Sequence, residues 1–289
     1  MSRHPIDVVE LRGTVTAERL AALPPQTRLQ WRDPLPAPAL DAIARRSSGG
    51  TAIRVYGSAC AQIDDVLERI PVRRLAFDAR RVRRPPPRAP GVRELAIEGV
   101  PNDATFLHAF DSLEALRVDA HGAPFDLRVL REVPNLRRLS IVAAKIAGLL
   151  FIGEVHRLDV LEISHCVAGD VDPVLSHRNV TALRLAAIDG VRSIRAVADN
   201  TVLRVLELDR LLHLDSLAPL GTLHSLQSLA LRELWQFNVG DAHCIVGLKG
   251  LRRLAVDIGG ARKNVEIVKR MRLPLAEPFD ADDYDLTTS

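Results

Sequence analysis

Leucines recur at a spacing of three residues in the stretch between Leu203 and Leu231. From Leu208 to Leu229 every third residue is leucine. This spacing fits neither an ordinary strand nor a long α-helix, but it suits short 3₁₀-like turns that place their side chains on one edge. At both ends the spacing changes to apolar-x-x-apolar-x-apolar, which predicts a short strand. One repeat of strand and turn is therefore 23 residues long at this point.

The same strand pattern recurs along the whole chain. Nine clear copies and three weaker ones follow one another at intervals of 20 to 25 residues. A repeat of this length cannot bury its apolar side chains without a neighbour on each side, so the pattern predicts about twelve stacked repeats with parallel strands. The central residues of the copies, the weaker ones first, are Val9, Leu29, Ile53, Leu75, Leu95, Leu116, Leu139, Leu161, Leu183, Leu206, Leu229 and Leu254.

These copies resemble leucine-rich repeats, whose pattern is LxxLxLxx(N/C)xL at 20 to 29 residues, and the resemblance covers essentially the whole chain. The leucine spacing of three and the Ala-Pro-Leu at 218–220 are similar to the short-repeat bacterial class of that family. The resemblance implies an α/β fold: a right-handed, horseshoe-shaped solenoid with a curved parallel sheet on its concave face. It also implies that partners bind to the concave face.

One departure from the family pattern is systematic. In the family, an asparagine after each strand usually satisfies the turn amides with its side chain. This chain has other residues at that position. Either the turns satisfy their own amides or water does. The residues at this position are Val100, His121, Ala144, Cys166, Ile188, Leu211, Leu234 and Gly259.

The repeats predict three regions: irregular repeats with helical convex segments over 1–70, regular repeats over 71–260, and a capping helix with an acidic tail over 261–289. The helices expected are 14–23, capped by Thr14 or Thr16, then 38–46 with Pro38 at its first position, 61–70, 101–113 and 262–271. Three consecutive prolines in the 80–90 insert predict an extended arm. Leu273 and Leu275 could add a final strand.

Composition narrows the function classes. Hydrophobic residues are 47% of the chain but aromatic residues only 4%, so the core is aliphatic and a large aromatic-lined pocket is not expected. Of the 39 basic residues 35 are arginine, without the interleaved aromatic residues of a nucleic-acid footprint. The N-terminus has no apolar signal region, and three scattered cysteines form no disulfide framework. These features favour a cytoplasmic protein without a cofactor.

The middle position of each strand predicts the exposed face of the sheet. Adjacent strands lie about 4.8 Å apart, so Glu162, Arg184 and Glu207 should form an alternating charge ladder beside an apolar strip of Val160, Ala182 and Val205. The ladder suits a polar interface rim, although self-neutralising surface ion pairs are the alternative. On a surface site, Arg184→Glu should change the free energy of unfolding by less than about 1 kcal/mol.

A second row brings three carboxylates, Asp78, Glu98 and Asp119, onto neighbouring strands. They repel one another unless they are paired, so they could hold a cation or a basic partner, although Arg54, Arg74 and Arg117 lie close enough to neutralise them. A cation site is disfavoured because Ca²⁺ needs six or more oxygens converging on one point rather than a row.

Other candidate chemistry is weaker. Cys166 beside His165 suggests a nucleophile and base, but the repeat register places Cys166 inside as a small hydrophobic residue. No zinc-ligand spacing accompanies Asp241, His243 and Cys244. Trp235 is expected on the turn edge as a possible binding hot spot, whereas Phe237 is expected to point inward. Residues 84–90 match the RxxPxxP pattern of ligands for SH3-like domains, and a rigid insert is the alternative interpretation.

The sequence therefore favours a non-enzymatic scaffold that binds another protein through its concave face, as an intracellular inhibitor or adaptor. One alternative is an effector similar to the leucine-rich repeat ubiquitin ligases of bacteria but lacking their catalytic domain. Another is weak nucleic-acid binding by the arginines of 80–88. The residues assigned to partner binding are Arg117, Ser140, Val160, Glu162, Ala182, Arg184, Val205, Glu207 and Trp235.

Overall fold

The structure, a computed structural model, describes residues 8–12, 15–24, 27–47, 50–82, 86, 88–100 and 104–271. The described chain divides into two compact units. The first extends to residue 121 and includes Val129–Leu136; the second contains Gly122–Arg128 and the residues from 137 onward. The expected strand at Leu273 and Leu275 and the acidic tail lie outside the described residues. The predicted division into 1–70, 71–260 and 261–289 stays a prediction.

The first unit contains six parallel strands in chain order, each coinciding with one copy of the sequence pattern. Their alternate apolar residues, such as Leu29, Ile53 and Leu75, are buried on one side of the sheet. The opposite side, here called the outer sheet face, carries the residues between them. The strands are β1 (Val8–Glu10), β2 (Arg28–Trp31), β3 (Thr51–Val55), β4 (Val72–Asp78), β5 (Glu94–Glu98) and β6 (Ala115–Asp119).

Short helices connect these strands. The hydroxyl oxygen of Thr16 caps α1 (Ala17–Ala21) by accepting a hydrogen bond from the Arg19 amide at 3.2 Å, as the sequence predicts for one of its two candidates. Helix α2 (Ala37–Arg46) and helix α3 (Ile63–Arg69) also lie where helices are expected. The segment predicted as a helix over 101–113 instead contains a 3₁₀ helix at Ala104–Ala109, and residues 101–103 lie outside the description. The unit's other 3₁₀ helices are Gly57–Gln62 and Ala79–Arg81.

The second unit likewise contains six main parallel strands in chain order, so the described residues hold the twelve repeat strands that the sequence predicts. A separate two-stranded ladder forms between β7 (Pro124–Asp126) and β9 (Lys145–Ala147). The chain closes with α5 (Ala261–Met271), which confirms the predicted closing helix. The main strands are β8 (Arg138–Val142), β10 (Val160–Ser164), β11 (Ala182–Ala186), β12 (Val205–Asp209), β13 (Ser228–Arg232) and β14 (Arg253–Val256).

The leucine spacing of three has the predicted structural cause. All eight leucines from Leu208 to Leu229 at this spacing are buried, and a 3₁₀ helix occupies Ala218–Thr222 in their midst. Three residues per turn keep successive leucines on the edge that faces the core. The remaining helical segments described after residue 121 are the 3₁₀ helices Leu127–Glu132, Leu149–Glu154, Arg195–Asp199 and Asp241–Gly247 and the short helix α4 (Asp172–Leu175).

The turn that follows each strand satisfies its amides through the backbone of the next repeat. In the second unit Ala143, His165 and Ala187 adopt positive φ angles of 48° to 54°. The amide of each donates a hydrogen bond to the last strand carbonyl of the following repeat, at 2.8 to 3.0 Å. The residue after each, as at Ala144 and Ile188, is buried and apolar. Backbone carbonyls therefore satisfy the positive-φ amides of these turns, and at the asparagine position the Cys166 sulfur accepts from the Ala144 amide at 3.4 Å.

Two turns depart from the predicted inward register. His121 itself has φ 48°, and the buried residue is Ala120. Gly259 has φ 93°, and the buried residue is Ile258. In both repeats the residue with positive φ comes one position later than in the regular turns and occupies the position predicted to point inward, so the inward assignment of His121 and Gly259 is wrong.

Candidate functional site

The predicted charge ladder forms in the second unit, and it extends beyond the three predicted residues. The strand register places Glu162 opposite Arg184 and Arg184 opposite Glu207, as predicted. Glu162 accepts hydrogen bonds from the Ser140 hydroxyl at 2.8 Å and from Nη1 of Arg184 at 2.7 Å. Oε1 of Glu207 lies 3.2 Å from Nε of Arg184 and 3.4 Å from Nε of Arg232. The network therefore links five neighbouring strands of the main sheet, which are β8, β10, β11, β12 and β13.

The prediction that the ladder lies at the surface is wrong for Glu207. Its side chain is only 1% exposed, because the side chains of Arg184 and Arg232 lie over it. Burial raises the pKa of the Glu207 carboxyl, although both arginines oppose the shift. Within the part of the chain that the structure describes, neither carboxylate oxygen of Glu207 receives a well-aligned hydrogen bond. Glu207 therefore acts inside the network and has no surface to offer a partner.

The apolar strip beside the ladder is aligned as predicted but largely covered. Val160, Ala182 and Val205 lie opposite one another on β10, β11 and β12. Ala182 is buried, and the two valines are half-buried. Ser140 is buried as well. Of the predicted residues on this face, Glu162, Arg184, Val160 and Val205 keep some accessible surface, and in the first unit Arg117 is half-buried.

Of the three carboxylates of the first unit, Asp78 pairs with arginines outside the predicted set. Asp78 accepts two hydrogen bonds from Arg80, at 2.9 and 3.0 Å, and lies 3.3 Å from Arg81. These contacts overcome the effect of burial and lower the pKa of Asp78. Glu98 pairs with Arg54 at 2.6 Å, as predicted.

Asp119 and Arg74 make further contacts on this face. Asp119 accepts a hydrogen bond from the amide of His121 at 3.2 Å. Arg74 was expected near the carboxylate row, but it pairs with Glu94 at 3.1 Å. No group of three or more His, Cys, Asp or Glu side chains that could hold a metal ion occurs among the described residues.

A depression lies on the outer sheet face of the first unit, and we call it the alanine groove. Its floor consists of short side chains, and charged side chains surround it. The cavity volume is about 410 Å³. The floor residues are Ala52, Ala76, Ala96 and Ala115, and the surrounding charged residues are Arg28, Arg54, Arg74, Arg117, Glu94, Glu98 and Asp119.

Sequence reasoning identified only Arg117 of this groove as a binding residue. The signal was nevertheless present, because the middle positions of four successive strands are Arg54, Ala76, Ala96 and Arg117. Two small side chains between two long ones create a depression on a sheet face. Alternating charges mark the ladder of the second unit as a candidate site in the sequence, whereas alanine side chains carry no charged or reactive group that would mark a site.

The arginines of the 80–88 insert are largely engaged by carboxylates of the same chain. Arg80 and Arg81 contact Asp78, and Arg88 pairs with Asp111. Arg83, Arg84, Pro85 and Pro87 lie outside the described residues, as does much of the RxxPxxP match. The described arginines therefore give no support to a nucleic-acid site.

The cysteine and histidine candidates are structural. Cys166 is buried, and its sulfur lies 3.4 Å from the Ala144 amide and 3.1 Å from the Ser164 carbonyl oxygen, which confirms its inward position. His165 occupies the positive-φ turn position before it. Asp241 accepts a hydrogen bond from the Asn238 amide at 2.8 Å, and burial raises the pKa of the Cys244 thiol.

Trp235 and Phe237 have the predicted exposures. Trp235 is 61% exposed on the turn after β13, whereas Phe237 is buried. Leu212, at the equivalent position of the preceding repeat, is 55% exposed. The turn edge thus presents two large apolar side chains.

None of the helices in the described part of the chain is long and apolar enough to cross a membrane.

Comparisons with known proteins identify the architecture. No protein-family model matches the chain, and no curated protein sequence matches it either. Among solved structures, an internalin (InlF) of Listeria monocytogenes is similar at 15% identity and a TM-score of 0.51, covering 87% of this chain and 78% of the internalin. A leucine-rich repeat protein of Leptospira interrogans is 14% identical over 87% of this chain and 71% of its own, with a TM-score of 0.49. These identities show a shared fold only. Together with the repeat strands and the buried leucines, the likeness to the internalin shows that this chain has the fold of a leucine-rich repeat protein.

Proposed function

We propose that the chain is a protein-binding module that engages a partner through the outer sheet face of its first unit. The observation that carries this proposal is the alanine groove. Its rim side chains are accessible, as Arg54 and Glu98 are each more than two-fifths exposed. An open depression with a small apolar floor and a charged rim has the composition of a protein interface rather than of an enclosed metabolite pocket.

The residues predicted in the second unit form a separate, weaker part of the proposal. Glu162 and Arg184 are partly accessible beside Val160 and Val205, and Trp235 is exposed on the turn edge. Because Ser140, Ala182 and Glu207 of this set are buried, it has less accessible surface to offer a partner than the groove. We keep them as a second contact surface that the experiment below can distinguish from the first.

The finer roles are proposals that the sequence motivates. A rigid repeat surface without catalytic groups suits an inhibitor or an adaptor, and we propose a non-enzymatic role inside the cell. The assignment to the short-repeat bacterial class is a prediction of the same kind.

The test is to fill the groove and follow partner capture. Ala96→Phe places a ring on the floor, and Ala255→Phe makes the same change at the equivalent, half-exposed position of β14 in the second unit. We expect tagged wild type and Ala255→Phe to recover the same partner from host extract, and Ala96→Phe to lose it. Equal recovery by all three would contradict a role of the groove. Loss by Ala255→Phe or by Trp235→Ala alone would place the contact in the second unit.

A further inference from the structure

The row that crosses the alanine groove has a regular geometry. Strand register aligns Arg54 with Ala76, Ala76 with Ala96, and Ala96 with Arg117. Since neighbouring strands are about 4.8 Å apart, the backbones of Arg54 and Arg117 are separated by about 14 Å. The two alanines between them leave room for one side chain from outside.

An extended peptide has a matching repeat. Its residues advance about 3.3–3.4 Å each, and residues i, i+2 and i+4 point to the same side. Residues i and i+4 are therefore about 13–14 Å apart, close to the separation of the two arginines. If such a segment lies across the strands, residue i+2 falls over Ala76 and Ala96.

The charge of the groove indicates which side chains would occupy the ends. Four arginines surround it against three carboxylates, and next to it Asp78 faces both Arg80 and Arg81. The surface is therefore basic on balance, which favours an acidic partner. Arg54 already donates to Glu98, but a guanidinium has five N–H donors and can serve a second carboxylate.

We propose that the alanine groove binds an extended acidic segment of a protein partner in the pattern acidic-x-apolar-x-acidic. The two carboxylates pair with Arg54 and Arg117, and the apolar side chain packs on Ala76 and Ala96. This inference rests on the proposed function, since it names the chemistry of the partner for the same groove. Arginine at both ends also favours an aromatic ring at the central position, because guanidinium groups stack on aromatic faces.

The experiment is a selection from a random twelve-residue peptide display library on the full chain, after which the enriched peptides are assayed against Ala96→Phe. We expect enrichment of sequences with two acidic residues four apart and an apolar or aromatic residue midway. A synthetic peptide of the enriched sequence should bind wild type and Ala255→Phe equally, bind Arg117→Gln about tenfold more weakly, and weaken as salt is raised. Arg117→Lys should retain more affinity than Arg117→Gln. Melting curves exclude variants that fail to fold.

The outcomes separate the two proposals. Enriched peptides that lose binding to Ala96→Phe but lack the acidic pattern would overturn the acidic segment and leave the groove as the binding site. Peptides that bind Ala96→Phe as well as wild type, or no enrichment at all, would overturn both. A single-stranded oligonucleotide that competes with the selected peptide, and whose binding falls in Arg117→Gln, would replace the protein segment with nucleic acid.

Discussion

The buried carboxylate of Glu207 makes the stability of the second unit depend on Arg184. Arg184→Met removes one of the two arginines that face Glu207 and leaves Arg232 in place. Breaking a buried ion pair by removing one partner costs about 3–5 kcal/mol when the remaining charge is stranded. Because Arg232 still lies 3.4 Å away and the Arg184 side chain is 32% exposed, we expect a smaller loss, about 1–3 kcal/mol at pH 7. This replaces the sequence-based expectation of less than about 1 kcal/mol for a surface site.

The loss should depend on pH, with a definite sign. Burial already raises the pKa of Glu207, and Arg184 opposes that shift, so its removal should raise the pKa further. A carboxyl whose pKa is higher in the folded state binds more protons there than in the unfolded state. Its contribution to stability is therefore complete below the unfolded pKa, near 4.3, and is lost as pH rises through the folded pKa. The deficit of Arg184→Met should be smallest at acid pH and largest above neutrality.

Urea unfolding of wild type, Arg184→Met and Arg184→Met/Glu207→Gln between pH 4 and pH 8 measures this effect. The double variant has no buried charge at position 207, so it should regain part of the stability at pH 7 and show a flatter pH dependence than the single variant. Glu162 retains the Ser140 hydroxyl in each variant. A deficit of the same size at every pH, or a double variant less stable than Arg184→Met, would refute the reasoning.

Other predictions concern the core, the turns and a buried histidine. Leu206→Ala should lower the free energy of unfolding by about 2–5 kcal/mol, whereas Leu212→Ala, at an exposed position, should change it by less than about 0.5 kcal/mol in the same urea titration. Ala187→Gly should raise the melting temperature, by relief of about 1 kcal/mol at a φ of 48°, whereas Ala186→Gly in the adjoining strand should lower it. Burial lowers the pKa of His177, whose ring contacts the Ile152 carbonyl oxygen at 3.2 Å, so its stabilising contribution should be full above pH 6.5 and decline as pH falls; a His177→Asn variant with an unchanged pH dependence would contradict this.

The sequence by itself determined the repeats and their core. A strand pattern recurring every 20 to 25 residues has to be satisfied by neighbouring repeats, so the strand positions, the burial of Leu206 and Leu229, and the inward position of Cys166 all followed from spacing. The sequence also predicted which side chains of neighbouring strands lie opposite one another, because parallel strands with the same residue pattern pair in register. The closing helix and the Thr16 cap were readable from local preferences alone.

The tertiary structure decided what each row of side chains does. Exposure of a long charged residue depends on which neighbours fold over it, so the sequence could align Glu207 with Arg184 but could not show that two arginines cover it. The partners of Asp78 lie in the insert beside it, which a row analysis does not include. Turn conformation was equally hidden, since alanine seldom adopts positive φ, and the hydrogen bonds from the Ala143 and His165 amides to the next repeat form only in the folded chain. The groove also depends on the tertiary structure, because a depression forms only when several strands lie side by side. Here the short side chains of Ala76 and Ala96 leave space between longer side chains on the neighbouring strands.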